Sequence, residues 1–144
     1  MKYYIAYGSN LNLDDMKMRC KGARFYKKGI LKDYQLVFRW YATIEKKEGA
    51  ITPVGVFCID EKSELELDFY EGYPTLYRKE NVNVELEDGS LIECMVYIME
   101  EKRQEYTLPS KSYYATIEKG YKDVGLDISY LKQALEYTKK LIQQ

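Results

Sequence analysis

The chain has 144 residues, 46% of them hydrophobic and 31% charged, which suits one globular domain over residues 1–144. Its 22 basic and 23 acidic residues nearly cancel, and no segment concentrates enough Lys or Arg to neutralise a run of phosphates, which argues against a nucleic-acid partner. No segment approaches the roughly 18 consecutive apolar residues of a membrane-spanning helix, so no membrane partner is expected.

The N-terminal residues predict a strand, a tight loop and a helix, in that order. Residues 3–7 are aromatic or aliphatic and predict a short buried strand, which Gly8, Ser9 and Asn10 end at once. Asn12 can cap a helix, and the two aspartates that follow it suit the positive first turn of that helix.

The next segment predicts two strands. Residues 23–31 and 34–40 both have strand character, and the second alternates apolar with polar side chains. We expect Lys32 and Asp33 to form the turn between them.

Residues 41–53 contain a charged, glycine-containing run and predict a solvated hairpin or loop. Residues 54–59 predict a further apolar strand. Gly55 within that strand indicates a close approach of another part of the chain.

The period of the hydrophobic pattern changes after Asp60 and predicts a helix. Ser63 and Glu66 have the spacing of a capping box, and Gly72 can end the helix in the left-handed conformation. Glu71 then lies at the helix end, where the helix dipole disfavours a carboxylate. Another reason is therefore needed for an acid at this position.

The C-terminal half predicts a hairpin and two helices. Residues 76–87 and 91–99 are the strands, with Asp88-Gly89 as the turn. A polar segment, 100–109, leads to a helix at 112–123.

The last helix is expected from Asp127, which can cap it, after Gly125 ends the helix before it. Strands and helices in this order predict the α+β class.

Three cysteines, Cys20, Cys58 and Cys94, are odd in number, widely separated and lack the CxxC spacing. They predict neither a disulfide framework nor a zinc site, but reduced thiols. Because the N-terminus also lacks the apolar core of a signal peptide, we expect a cytoplasmic location.

Two groups of residues are candidates for chemistry in a chain that contains no histidine, the commonest general base. The first is the loop of residues 7–11, whose backbone NH groups can converge on an anion, although the same residues also form ordinary turns. The second is the acid pair Asp68 and Glu71, although paired acids on a helix are usually surface residues. The usual phosphate-binding motifs are absent, and no cofactor or metal is expected.

Together these segments resemble one family. The loop reads YGSNL with Met16 and Arg19 downstream, and the middle of the chain reads LDxxEGYPxxY. A third segment, PSxxY at 109–113, is followed by Gly120 and by Gly125. In this order the motifs resemble the γ-glutamyl cyclotransferase superfamily, which includes the AIG2-like proteins.

The resemblance implies a small mixed β-barrel flanked by helices, with a cavity between the loop and the acid. It implies Glu71 as the catalytic acid/base and Tyr113 as a tyrosine near the active site. It also implies a substrate-binding loop made of Tyr7, Gly8, Ser9, Asn10 and Leu11.

The implied activity is the release of 5-oxoproline and a free amine or amino acid from a small γ-glutamyl compound. The alternatives are a cyclotransferase acting on γ-glutamylamines, a non-catalytic small-molecule binding domain of the same fold, and a scaffold whose tyrosine-rich face binds a partner. The sequence leaves the oligomeric state open, with a homodimer as one alternative.

Overall fold

The computed structural model describes residues 1–100 and 104–144, in which five strands form a closed barrel and four α-helices pack around it. In chain order the elements are β1 (Lys2–Ala6), a 3₁₀ turn (Ser9–Leu11), α1 (Leu13–Arg19), β2 (Arg24–Arg39), β3 (Tyr41–Ile59), α2 (Glu61–Glu71), β4 (Tyr77–Leu86), β5 (Leu91–Met99), α3 (Lys111–Val124) and α4 (Ile128–Ile142).

The strand order around the barrel is β1-β3-β2-β4-β5, and the pairing of β1 with β5 closes it. That pair is parallel, with Tyr4 opposite Met95, whereas the other neighbouring strands are antiparallel. The mixed barrel with flanking helices expected from the resemblance is therefore confirmed. A closed barrel leaves no free sheet edge, and its interior is filled by side chains.

The prediction of two strands joined by a turn at Lys32 and Asp33 was wrong. These residues lie inside one long strand, β2, which pairs with β3 along its length. Asp33 has a φ of 66° and forms a bulge, and its carboxylate accepts a hydrogen bond of 2.9 Å from Gly49 N. Asp tolerates this conformation in a bulge as well as in a turn, and the chain reverses at Trp40 instead.

The prediction of a solvated hairpin or loop over residues 41–53 was also wrong, because they belong to β3 together with the expected strand 54–59. Where β3 pairs with β2, only residues 47–50 of β3 have no partner, since Ile51 pairs with Lys32 and Lys46 pairs with Tyr34. The charged run therefore forms a bulge within a strand.

Helix α2 begins one turn earlier than the capping-box spacing predicted. The Asp60 carboxylate caps it by accepting a hydrogen bond of 2.8 Å from Ser63 N, and Ser63 is buried within the helix. The predicted end is confirmed, because Gly72 adopts the left-handed conformation with φ 70° and ψ 37°.

The remaining expected elements are confirmed. Asn12, Ser110 and Asp127 cap α1, α3 and α4, and Gly89 at the β4–β5 turn has a φ of 87°. Part of the expected polar segment 100–109, residues 101–103, lies outside the described residues. Over the ranges 1–100 and 104–144, no helix is both long and apolar enough to cross a membrane.

Candidate active site

The loop after β1 is held in place by side chains on both sides. The Tyr7 hydroxyl donates a hydrogen bond of 2.6 Å to the carbonyl oxygen of Tyr97, and Asn10 Nδ2 donates one of 2.9 Å to the Tyr4 hydroxyl. Residues Ser9–Leu11 form a 3₁₀ turn, whose first NH groups have no acceptor inside the turn. These NH groups are the ones available to an anion.

Gly8 contributes small size rather than an unusual backbone. Its φ is −126°, outside the left-handed region, but an added Cβ would lie 3.2 Å from Ala42 Cβ and 3.7 Å from the Tyr113 hydroxyl. The loop can therefore approach β3 and α3 closely at this point.

Glu71 is the last residue of α2 and is partly buried. Burial raises the pKa of its carboxyl to about 7, and the positive charge of Arg19 opposes this rise. Because the helix stops at Gly72, the Glu71 side chain lies at the end of the helix beside the loop. A carboxyl with this pKa can both take and return a proton near neutral pH.

Glu71 and the loop line the same cavity. This inner pocket has a cavity volume of about 30 Å³ and adjoins a second pocket of about 200 Å³, which we call the mouth pocket. Both pockets share Ser9, Glu71, Tyr77 and Tyr113. The inner pocket is lined by Tyr4, Ile5, Tyr7, Gly8, Ser9, Asn10, Ala42, Glu71, Tyr77, Tyr97 and Tyr113.

The structure thus brings together all the residues expected at the site except Leu11. Leu11 is fully buried, and within the described chain it is not among the side chains that line either pocket. Its Cδ2 atom would be 3.0 Å from a Cβ at Gly55, which explains the glycine in β3. Leu11 anchors the loop in the core.

The tyrosines around the cavity are neutral hydrogen-bonding groups. Burial raises the pKa of Tyr4, Tyr7 and Tyr113 well above the ordinary value. Ala42 bridges two of the wall tyrosines, since its NH donates to the Tyr113 hydroxyl at 3.1 Å and its carbonyl accepts from the Tyr77 hydroxyl at 2.9 Å. This places both rings against the start of β3.

Asp68, the second acid of the predicted pair, is held by a hydrogen bond and an ion pair to neighbouring side chains. It accepts a hydrogen bond of 2.5 Å from the Tyr97 hydroxyl and forms an ion pair of 2.9 Å with Lys79. Lys79 also binds Glu64 at 2.6 Å. Asp68 does not line the inner pocket, so Glu71 is the one carboxyl among the described lining residues.

Arg19 contacts the loop of the candidate site, although the sequence predicted no role for it. Its Nη1 donates hydrogen bonds of 2.7 Å to Asn10 Oδ1 and 3.2 Å to Ser9 Oγ. Its guanidinium lies 4.2 Å from the centre of the Tyr70 ring. Arg19 thus connects the loop with the helix end that carries Glu71. The only sequence signal for it was its position downstream of YGSNL.

The family model described as "Gamma-glutamyl cyclotransferase, AIG2-like" matches residues 4–115, which include every residue of the candidate site. The chain belongs to this family. Gamma-glutamylcyclotransferase of Bos taurus is 31% identical over 143 residues, covering 90% of this chain and 75% of the bovine protein. The Homo sapiens protein of the same name is 30% identical over 159 residues, covering 98% of this chain and 84% of its own.

A solved structure named gamma-glutamyl cyclotransferase superposes with a TM-score of 0.84 and 28% identity, covering 92% of this chain and 85% of that one. The barrel and its helices are thus those of the gamma-glutamyl cyclotransferase family. In the part of the chain that the structure describes, no three Cys, Asp or Glu side chains form a cluster that could hold a metal ion.

Proposed function

We propose that this chain is a γ-glutamyl cyclotransferase, which releases 5-oxoproline and a free amine or amino acid from a γ-glutamyl compound. The observation that carries the proposal is that Glu71, with a pKa raised to about 7 by burial, faces the loop of Tyr7, Gly8, Ser9 and Asn10 across one cavity. Membership of the family and the named relatives support the same reaction.

The loop binds the α-carboxylate of the substrate in this proposal. The first NH groups of the 3₁₀ turn at Ser9–Leu11 supply donors for an anion, and the Tyr7 and Asn10 bonds keep them in place. Fixing the carboxylate there folds the γ-glutamyl chain back, so that its α-amine reaches its own γ-carbonyl carbon. Orientation of this kind can account for a large part of a rate enhancement.

Glu71 moves the protons. Its carboxylate deprotonates the α-ammonium, and the free amine forms the new C–N bond to the γ-carbonyl carbon. As the original amide C–N bond breaks, the protonated Glu71 returns a proton to the leaving nitrogen. The α-nitrogen loses two protons to become a lactam NH, and the leaving nitrogen gains two to become an ammonium, so no water is consumed.

The carbonyl oxygen becomes negatively charged during the attack and needs hydrogen-bond donors. Tyr113 is one candidate because its hydroxyl accepts a bond from Ala42 N and so keeps its own hydrogen for another acceptor. A backbone NH of the loop is the other.

The test is to incubate the purified protein with several γ-glutamyl dipeptides and with γ-glutamyl-lysine, and to measure 5-oxoproline by chromatography. We expect release by the wild type and a loss of roughly a hundredfold to ten-thousandfold in kcat in Glu71→Gln, because an amide cannot carry the protons. The matched control is Glu61→Gln, an exposed acid at the other end of α2, which should stay within about twofold of wild type. Full activity in Glu71→Gln would overturn the assignment.

We also propose a cytoplasmic location, because Cys20, Cys58 and Cys94 are free thiols and reducing compartments keep thiols in that state. A homodimer stays a prediction, which sedimentation at several protein concentrations tests.

A further inference from the structure

The mouth pocket differs in character from the inner pocket. Ser9 is its only residue from the loop, whereas Tyr41, Tyr70 and Leu76 line it and do not line the inner pocket. Tyr41 is 48% exposed and Tyr70 is 43% exposed, which is high for aromatic side chains. Large apolar groups exposed at the entrance of a cavity commonly mark a contact surface for a ligand.

Continuity with the inner pocket indicates which part of the substrate the mouth pocket receives. Glu71 lines both pockets and must act on the scissile amide, so that bond lies where they join. The glutamyl group extends inward to Gly8 and Asn10. The amine that is released must therefore extend outward, between the rings.

The charges around the mouth pocket limit the chemistry of this amine. Among the described lining residues, Glu71 is the one carboxyl and there is no Lys or Arg. Arg19 lies next to the pocket, since its Nη1 is 3.2 Å from Ser9 Oγ and its guanidinium lies against the Tyr70 ring. This positive charge attracts the carboxylate of an amino acid that is linked through its α-amine, because that carboxylate lies beside the scissile nitrogen. In ε-(γ-glutamyl)-lysine the carboxylate lies at the far end of a flexible chain, with an ammonium beside it.

We propose that the mouth pocket is the subsite for the released amino acid and selects a large apolar or aromatic side chain. Tyr41 forms its outer wall, with its ring edge-to-face against Tyr113 at a centroid distance of 5.4 Å. A bulky side chain that enters between Tyr41 and Leu76 removes apolar surface of both partners from water, which glycine cannot do. This inference rests on the proposed cyclotransferase function.

The experiment compares kcat/KM for γ-glutamyl-phenylalanine, γ-glutamyl-leucine, γ-glutamyl-glycine and ε-(γ-glutamyl)-lysine, with 5-oxoproline as the readout. In the wild type we expect the phenylalanine and leucine compounds to exceed the glycine compound by about tenfold or more. The lysine compound should be poorer than both.

Variants at position 41 then locate the preference. Tyr41→Ser should reduce the phenylalanine-to-glycine ratio to below about threefold, while Tyr41→Phe, which keeps the ring, should retain it. Tyr26→Ser is the matched control, because Tyr26 is a similarly exposed tyrosine, 41%, that does not line either pocket. The ratio cancels any loss of activity common to both substrates, and thermal melting checks that each variant folds.

A wild-type ratio near one, an unchanged ratio in Tyr41→Ser, or a preference for the lysine compound would overturn the subsite. Each of these results includes 5-oxoproline release and therefore leaves the proposed function in place. No 5-oxoproline from any compound would overturn the proposed function itself, and the subsite with it.

Discussion

At the scale of single residues, the environment of Glu71 explains why an acid occupies an unfavourable position. The C-terminal end of α2 carries the negative end of the helix dipole, and burial among tyrosines removes water from the carboxylate. Both effects favour the protonated form, and the charge of Arg19 opposes them only in part. A base that must also return its proton gains from a pKa near the working pH.

Arg19 should set the pH at which Glu71 becomes active. Because the Arg19 charge lowers the pKa of Glu71, Arg19→Gln should move the acidic limb of the kcat/KM profile upward by roughly half to one pH unit. Arg19→Lys keeps the positive charge, so the midpoint of its acidic limb should lie close to that of the wild type. Its KM should be higher than that of the wild type, because one ammonium cannot replace the planar guanidinium that binds both Ser9 and Asn10.

Rate profiles from pH 5.5 to 9, with melting curves for each variant, check this expectation. A purely structural role for Arg19 would reduce activity without moving the midpoint. Superimposable profiles of wild type and Arg19→Gln would therefore contradict the role that we assign.

At the scale of elements, the loop owes its position to helix α3 as much as to β1. Gly120 of α3 faces the end of the loop, and a Cβ there would lie 2.7 Å from Asn12 N, Leu11 C and Leu11 Cβ. Two of these atoms are backbone, so the contact cannot relax by a rotamer change. Helix α3 and the 3₁₀ turn must therefore move apart if residue 120 gains a side chain.

Gly120→Ala tests this contact. Alanine in place of glycine inside a helix normally stabilises by about 0.5–1 kcal/mol, but here we expect a loss of about 1–3 kcal/mol because of the overpacking. KM should rise as the loop shifts. Urea unfolding and steady-state kinetics measure both effects, with the exposed Lys122→Ala on the same helix as control. A stabilised variant with unchanged KM would show that the close contact has no consequence.

At the scale of the whole molecule, the closed barrel brings together groups that are far apart in the chain. The site combines the end of β1, the end of α2 and the first turn of α3, around residues 7, 71 and 113. Residues from these three ends line one pocket in the folded protein. Because folding buries Glu71 and raises its pKa, the folding equilibrium and the ionisation of Glu71 are coupled.

The free energy of unfolding should show this coupling. The folded-state pKa of Glu71, about 7, lies above the ordinary value of 4.5, so its contribution to stability is present below pH 4.5 and is lost as pH rises to about 7. The loss is on the order of 3 kcal/mol. Glu71→Gln cannot ionise, so we expect it to be more stable than wild type at pH 8 and much closer to it at pH 5.

Urea unfolding of both proteins at pH 5, 6.5 and 8 measures the difference, in which contributions from other titrating groups cancel. A difference that does not change with pH would mean that Glu71 ionises in the folded protein as it does in the unfolded chain.

The sequence by itself determined the features that depend on neighbouring residues. The caps Asn12 and Asp127, the helix end at Gly72 and the turn at Gly89 each follow from a side chain or a missing side chain acting on adjacent backbone. The motifs also indicated the family, and with it Glu71 as the candidate acid.

Only the tertiary structure decided the features that depend on a distant partner. Asp33 reads locally as a turn, but pairing of β2 with β3 carries the strand past it, because ladder hydrogen bonds come from residues elsewhere in the chain. In the same way, the folded structure places Leu11 in the core instead of at the expected site. It also brings Arg19 within hydrogen-bond distance of Ser9 and Asn10. Burial and long-range hydrogen bonds arise only when the barrel closes, so no local pattern contains them.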